Sequence, residues 1–293
     1  MDVNGDGRID ILSGCYSRLE GSMAGLFWVL PGLEGGGFGA AEALLGTDGA
    51  PLILTGDNDP IDRICTRPTA IDWDGDGDLD IVSGCFEGTF SVFLGEGGGK
   101  FAPTCTPLTD GKDPIRVTGA HSDPVFVDWD GDGDLDLVSG GTDGVFLFRN
   151  RGGSPPTYGK RETLLEAEHS GMQLGDDVVF GDAHITTPQS DFRVFVDDLD
   201  GDGRFDLLIG DNSYVTRPAK GLTEEEARRR LADWNRRMDA LMERMEPSDD
   251  GSMDLGDEFD ELYRERAEFL EEGGVGTVWV MRQKAPEPAT RDV

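Results

Sequence analysis

Apolar residues along this chain come in short runs, most of them closed by Gly, Asp or Pro. One set comprises Thr69-Ala-Ile71, Pro124-Val-Phe-Val127 and Phe192-Arg-Val-Phe-Val196. A second set spans Ile9 to Gly14, Leu79 to Gly84, Leu135 to Gly140 and Phe205 to Gly210. A third is Gly25-Leu-Phe-Trp-Val-Leu30, Gly88-Thr-Phe-Ser-Val-Phe-Leu94, Gly144-Val-Phe-Leu-Phe148 and Gly276-Thr-Val-Trp-Val-Met281. Gly-rich turns then lead into Gly36-Gly-Phe38 and Gly98-Gly-Lys-Phe101, which open a weak fourth run. Runs rich in Val, Ile and Phe between turn residues predict strands. The unit is a four-stranded meander with an acidic loop between its first two strands.

That loop recurs four times without a gap. It reads Asp2-Val-Asn-Gly-Asp-Gly-Arg-Ile-Asp10, Asp72-Trp-Asp-Gly-Asp-Gly-Asp-Leu-Asp80, Asp128-Trp-Asp-Gly-Asp-Gly-Asp-Leu-Asp136 and Asp198-Leu-Asp-Gly-Asp-Gly-Arg-Phe-Asp206. The loops start 70, 56 and 70 residues apart. Such periods suit one propeller blade per repeat. The expectation is an all-β propeller of four recognisable four-stranded blades, about 1–50, 66–110, 121–168 and 190–282. The first blade lacks its opening strand and little sequence follows the third strand of the last. Met1 falls inside a repeat, so the four blades are expected to be a fragment of a larger ring, and residues 283–293 a disordered tail.

The fourth repeat is interrupted. Its second and third runs are separated by a stretch rich in Glu, Arg, Leu and Met, whereas the equivalent gap is short in the second and third repeats. Thr223-Glu-Glu-Glu226 is a capping box. Ala227, Leu231, Trp234, Met238, Leu241 and Met245 follow at alternating steps of four and three, a heptad seam. Pro247 and Gly251 break it, and Leu255, Phe259, Leu262, Tyr263 and Phe269 stripe a second helix. An antiparallel helical hairpin over 217–272 is expected, its seam serving either the other helix or self-association.

Charge sharpens the picture. Acidic residues outnumber basic ones 59 to 26, for a formal charge of −33, which excludes nucleic acid and anionic lipid as partners. With 37% hydrophobic residues the chain is not a disordered polyanion. Carboxylates packed within nine residues call for a cation. Ca²⁺ takes six to eight oxygens. Side chains at positions 1, 3, 5 and 9 and the carbonyl of position 7 supply them: Asp2, Asn4, Asp6, Arg8 and Asp10; Asp72, Asp74, Asp76, Asp78 and Asp80; Asp128, Asp130, Asp132, Asp134 and Asp136; Asp198, Asp200, Asp202, Arg204 and Asp206. A backbone ligand at position 7 explains why the side chain there varies freely, as Arg8, Asp78, Asp134 and Arg204. About four Ca²⁺ are expected. The helix–loop–helix calcium site is excluded, because its Glu at position 12 is replaced by Ser13, Ser83, Ser139 and Ile209, and the flanks are strands. A turn in which the carboxylates cap amides is the alternative without metal.

The loop, followed by an apolar run ending in Gly, resembles the FG-GAP/VCBS repeat family; Gly37-Phe-Gly-Ala40 and Lys100-Phe-Ala-Pro103 echo its signature. The resemblance implies a β-propeller like the head of integrin α subunits, with Ca²⁺ stiffening the rim, in secreted proteins. It covers residues 1–211 and 275–282 and leaves the hairpin outside.

Catalytic signatures do not emerge. His121 and His184 precede first strands beside Asp123 and Asp191, and Trp28, Trp73, Trp129 and Trp279 suit either sugar stacking or packing. Cys15, Cys65, Cys85 and Cys105 allow two disulfides or four buried thiols. Three readings follow. The first is a non-catalytic calcium-binding scaffold for a protein or glycan ligand. The second is a carbohydrate-binding or polysaccharide-degrading propeller, and the third an assembly element working through the hairpin. Modest calcium loops fill where calcium is abundant, so the protein is expected to be secreted, periplasmic or on the cell surface. No apolar run is long enough to span a bilayer, and no signal peptide opens the chain.

Overall fold

The computed structural model describes residues 1–17, 24–55, 63–168, 173, 175, 178–244 and 256–284. The predicted seam and breaker residues Met245, Pro247, Gly251 and Leu255, and the tail from 285 onward, lie outside these. The chain divides into two compact units: Met1–Ala167 with Ser190–Gly210 and Val278–Val293, and Glu168–Gln189 with Asp211–Thr277.

The first unit holds the repeats. β1 (Ile11–Gly14), β2 (Phe27–Leu30) and β3 (Glu42–Ala43) form a three-stranded antiparallel sheet. β4 (Arg67–Ile71), β5 (Asp80–Gly84), β6 (Phe90–Phe93) and β7 (Thr106–Pro107) form a second, of four strands. β8 (Asp123–Val127), β9 (Asp136–Gly140), β10 (Gly144–Phe148) and β11 (Glu162–Glu166) form a third. The last contains β12 (Arg193–Asp197), β13 (Asp206–Pro218) and β14 (Leu270–Met281). Two sheets therefore have the expected four strands and two have three. β13 and β14 run beyond the apolar runs that announced them and pass into the second unit at Asp211 and Thr277.

Strand alternation decides how the sheets stack. Successive side chains point to opposite faces, and both faces of β5 and β9 are buried throughout. Ile81 joins Phe27, Val29 and Phe93 in the core shared with the first sheet, while its neighbour Val82 joins Phe90, Leu137, Phe146 and Phe148 in the core shared with the third. Leu137 and Val138 divide in the same way, Val138 packing with Val145, Leu147, Val194, Val196 and Ile209. Each such side chain contributes about 1.5–3 kcal/mol by leaving water. On the last sheet the other face stays open: Phe195 is 53% exposed, Val278 71% and Val280 48%.

A repeated backbone device joins neighbouring sheets. The second residue before β4, β8 and β12 has positive φ although none is glycine: Cys65 (57°), His121 (65°) and Asp191 (55°). This conformation costs energy in a residue with a Cβ. It lets each N–H reach back to the preceding sheet, Cys65 to the Tyr16 carbonyl at 2.7 Å, His121 to Phe86 at 3.0 Å and Asp191 to Thr142 at 3.3 Å. The next residue does the same, Thr66 to Cys15 at 3.1 Å, Ser122 to Cys85 at 3.2 Å and Phe192 to Gly141 at 2.9 Å. The crossing chain also accounts for the glycine closing each second strand. A Cβ at Gly14, Gly84 or Gly140 would lie 1.8, 2.1 or 2.3 Å from the carbonyl oxygen of Thr66, Ser122 or Phe192. At Gly210 the nearest atom would be 3.8 Å away.

The second unit is the helical hairpin and the strand segments beneath it. α1 (Glu224–Met242) starts at Thr223, whose Oγ1 accepts the Glu226 N–H at 3.2 Å. α2 (Gly256–Phe269) runs antiparallel to it, as the Arg237–Glu265 and Arg244–Glu258 pairs show at 2.7 Å each. Among the described residues, the heptad seam packs within this unit. Ala227, Leu231, Trp234 and Leu241 pack against Leu262, Phe269, Leu270 and Val178.

Candidate metal centres

The second, third and fourth acidic loops lie between the first and second strands of their sheets and the first leads directly into β1, and in each loop two glycines make the turn. Positions 4 and 6 have φ of 75° and 84° at Gly5 and Gly7, and 80° and 95° at Gly75 and Gly77. The other two loops match, with 77° and 96° at Gly131 and Gly133 and 78° and 83° at Gly201 and Gly203. Glycine carries no Cβ penalty there. The turn aims the position-6 amide at the first carboxylate: Gly7 N to Asp2 Oδ2 at 2.7 Å, Gly77 N to Asp72 at 3.1 Å, Gly133 N to Asp128 at 3.1 Å and Gly203 N to Asp198 at 2.9 Å. Position 7 likewise donates to position 5, from Arg8, Asp78, Asp134 and Arg204 at 2.8–3.0 Å. Amide capping thus holds the carboxylates in place, the feature of the metal-free alternative. It leaves lone pairs on the same oxygens for a cation.

The position-9 aspartate has a role the sequence did not reveal. Asp10, Asp80, Asp136 and Asp206 are only 4%, 1%, 1% and 2% exposed. In the first three loops, Oδ2 accepts the N–H of position 2, from Val3 at 2.9 Å, Trp73 at 2.8 Å and Trp129 at 3.1 Å. Oδ1 accepts an N–H from just past the third strand, Gly32 at 2.8 Å, Gly95 at 2.6 Å, Asn150 at 2.7 Å and Gln283 at 3.0 Å. Each is a clasp from loop to third strand. Burial pushes the carboxyls of Asp80 and Asp136 above the ordinary range, against the pull of those amides. The Gly203 amide, with its neighbours, holds exposed Asp198 below it.

Three loops bring carboxylate oxygens within 4.8 Å of one another: Asp72, Asp74 and Asp80; Asp128, Asp130 and Asp132; Asp198, Asp200 and Asp206. All the donors are hard oxygens, the set that Ca²⁺ takes and that softer metals do not favour. In the first loop Asn4 occupies position 3, and Asp2, Asp6 and Asp10 form no such group. Asp76, Asp78, Asp134 and Asp202 stand outside the three groups, as do Asp136 and the position-7 residues Arg8 and Arg204.

Residues 72–139 match the family model of the FG-GAP-like repeat. The chain carries an FG-GAP-like repeat. The matched span runs from the acidic loop at Asp72 into β9, and so holds one complete loop-to-loop period. Among solved structures, an Agrocybe aegerita lectin described by its specific recognition of non-reducing terminal N-acetylglucosamine aligns at 22% identity and a TM-score of 0.38. The alignment covers 74% of this chain and 47% of the lectin, so the chain spans about half that protein's length. No match was found among curated proteins.

Three of the sequence's other candidates have packing or hydrogen-bond partners within the fold. Trp73 is buried within the FG-GAP-like repeat and donates from Nε1 to the Tyr158 hydroxyl at 2.9 Å, and Trp129 stacks on Phe205 at 5.9 Å. His121 sits edge-on to Phe86 at 4.9 Å and within 3.3 Å of Arg67 Nη2, and burial lowers its pKa. Burial raises that of Asp123. His184 belongs to the second unit. The four cysteines are free thiols.

Proposed function

We propose that this chain is a calcium-stabilised β-propeller that serves as a non-catalytic binding scaffold outside the cytoplasm. The observation that carries the reading is the recurrence of one oxygen-donor set, held by the same amides, in loops that follow one another along the chain. The side chains at positions 1, 3, 5 and 9 and the carbonyl of position 7 would hold the ion, giving about four per chain. Bound Ca²⁺ would neutralise carboxylates that otherwise repel one another. The protein residues supply the rest: position-6 amides orient the first carboxylate, and the position-9 clasp fixes the loop to its sheet.

The propeller form is supported by the stacked four-stranded sheets and by the repeated crossing at Gly14, Gly84 and Gly140. A scaffold rather than an enzyme is supported by His121, whose ring is occupied by Arg67 and Phe86. The ligand is a protein or a glycan. No helix among the described residues is long and apolar enough to cross a membrane.

Metal content by mass spectrometry, with thermal melting in Ca²⁺ and in EDTA, tests the reading. Bound calcium and a melting point lowered by chelation are expected, because a ligand held only by the native state stabilises it. A metal-free chain with the same melt in both buffers would leave the loops as amide-capped turns.

A further inference from the structure

The four loops share an acidic frame but differ in the cations beside it. The difference traces to one position in the repeat. The amide that clasps position 9 belongs to Gly32, Gly95, Asn150 or Gln283, and the residue before it is Pro31, Leu94, Arg149 or Arg282. Where this residue is arginine, its guanidinium reaches the loop. Arg149 Nη1 lies 2.6 Å from Asp130 Oδ2, at position 3 of the third loop. Arg282 Nη1 lies 3.0 Å from Asp200 Oδ2, the same position of the fourth loop, and 2.7 Å from Asp206 Oδ2.

We infer that Arg282, and to a lesser degree Arg149, are built-in counter-ions that weaken calcium binding at their loops, leaving the loop of residues 72–80 as the chain's principal calcium site. This rests on the reading of the loops as calcium sites. Asp200 and Asp206 are two of the three converging carboxylates of the fourth loop, so Arg282 holds oxygens the ion would need and adds a positive charge beside it. Asp202 is paired as well, with Arg204 of its own loop. In the third loop Arg149 engages one converging carboxylate and divides itself with Glu162 at 2.9 Å, a weaker block. The first loop pairs Asp6 with Arg8 and has Asn4 in place of an aspartate. The second loop has five aspartates, with Leu94 at the controlling position, and none of the five is ion-paired to Lys or Arg among the described residues. A guanidinium stays protonated at every accessible pH and matches carboxylates with its planar fork. It is singly charged, however, and cannot fill a shell of six to eight oxygens. It therefore quiets the loop without reproducing the calcium-bound state.

Calorimetric titration of the intact chain with Ca²⁺ alone, at fixed ionic strength, tests this. The unmodified chain is expected to show one tight event, lost in Asp74→Asn, and weaker ones. Arg282→Leu, which installs the residue of the second repeat, should tighten one weak event about tenfold, the effect of removing one adjacent charge at a partly solvated site. Arg282→Lys, keeping the charge without the fork, should fall between. Circular dichroism confirms that each variant is folded. Four equal events that Arg282→Leu leaves unchanged would overturn the inference while the calcium reading stands. An unmodified chain and an Arg282→Leu variant that both give no calcium heat would overturn the calcium reading itself.

Discussion

At the scale of single residues, the repeat is built from positions whose identity is set by what crosses them. Gly84 ends β5 and Gly210 holds the equivalent register position inside β13, yet a Cβ on the first would meet the Ser122 carbonyl at 2.1 Å and one on the second nothing nearer than 3.8 Å. Backbone cannot yield as a flexible side chain does. Gly84→Ala is therefore expected to cost more than about 3 kcal/mol, and Gly210→Ala to stay within about 0.5 kcal/mol. Urea denaturation of the two variants checks the contrast. The glycine was visible in the sequence as the end of each apolar run, but its reason was not, because the atoms that exclude a side chain belong to another repeat. The same holds for Asp80: its place in the loop marks it as a ligand, while its clasp on Gly95, 15 residues on, becomes apparent only in the fold.

At the scale of elements, the helical hairpin was legible in its caps and stripe. Thr223 caps α1 as the capping box predicts, and Trp234 and Leu231 lie on the buried seam. What the stripe did not reveal is the polar centre of the unit. Arg266, in the last turn of α2, is 1% exposed and donates to both carboxylate oxygens of Glu272, at 2.7 and 2.8 Å, and to the Gln173 carbonyl at 2.7 Å. Its guanidinium lies over the Trp234 ring at 4.6 Å. A surface arginine and a buried one look alike in sequence, since the partners come from three separate segments. Removing one member of a buried pair leaves the other charged without a counter-ion, at about 3–5 kcal/mol. Arg266→Ala should cost that much, and the double variant Arg266→Met with Glu272→Leu should recover most of it. Thermal loss of the helical circular dichroism signal measures both.

At the scale of the whole molecule, charge and repetition dominate. The formal charge is −33 and single loops crowd up to five aspartates together, so self-repulsion opposes the compact state. Screening reaches about 10 Å at 0.1 M salt. In EDTA, the melting point is expected to rise as NaCl increases, and to respond far less once Ca²⁺ is bound; equal slopes in the two buffers would contradict this. The exposed Phe195, Val278 and Val280 are a whole-chain property as well, since the corresponding faces of the inner sheets are covered by a neighbouring sheet. The sequence by itself determined the four loops, the strands around them and the inserted helices, because turn chemistry, period-two alternation and heptad spacing act within a few residues. Only the tertiary structure decided the αL crossings at Cys65, His121 and Asp191, the position-9 clasps and the arginines beside the loops. These are hydrogen bonds and ion pairs between residues far apart along the chain, such as Asp206 and Gln283 at 77 positions, and partners at that distance leave no periodic trace.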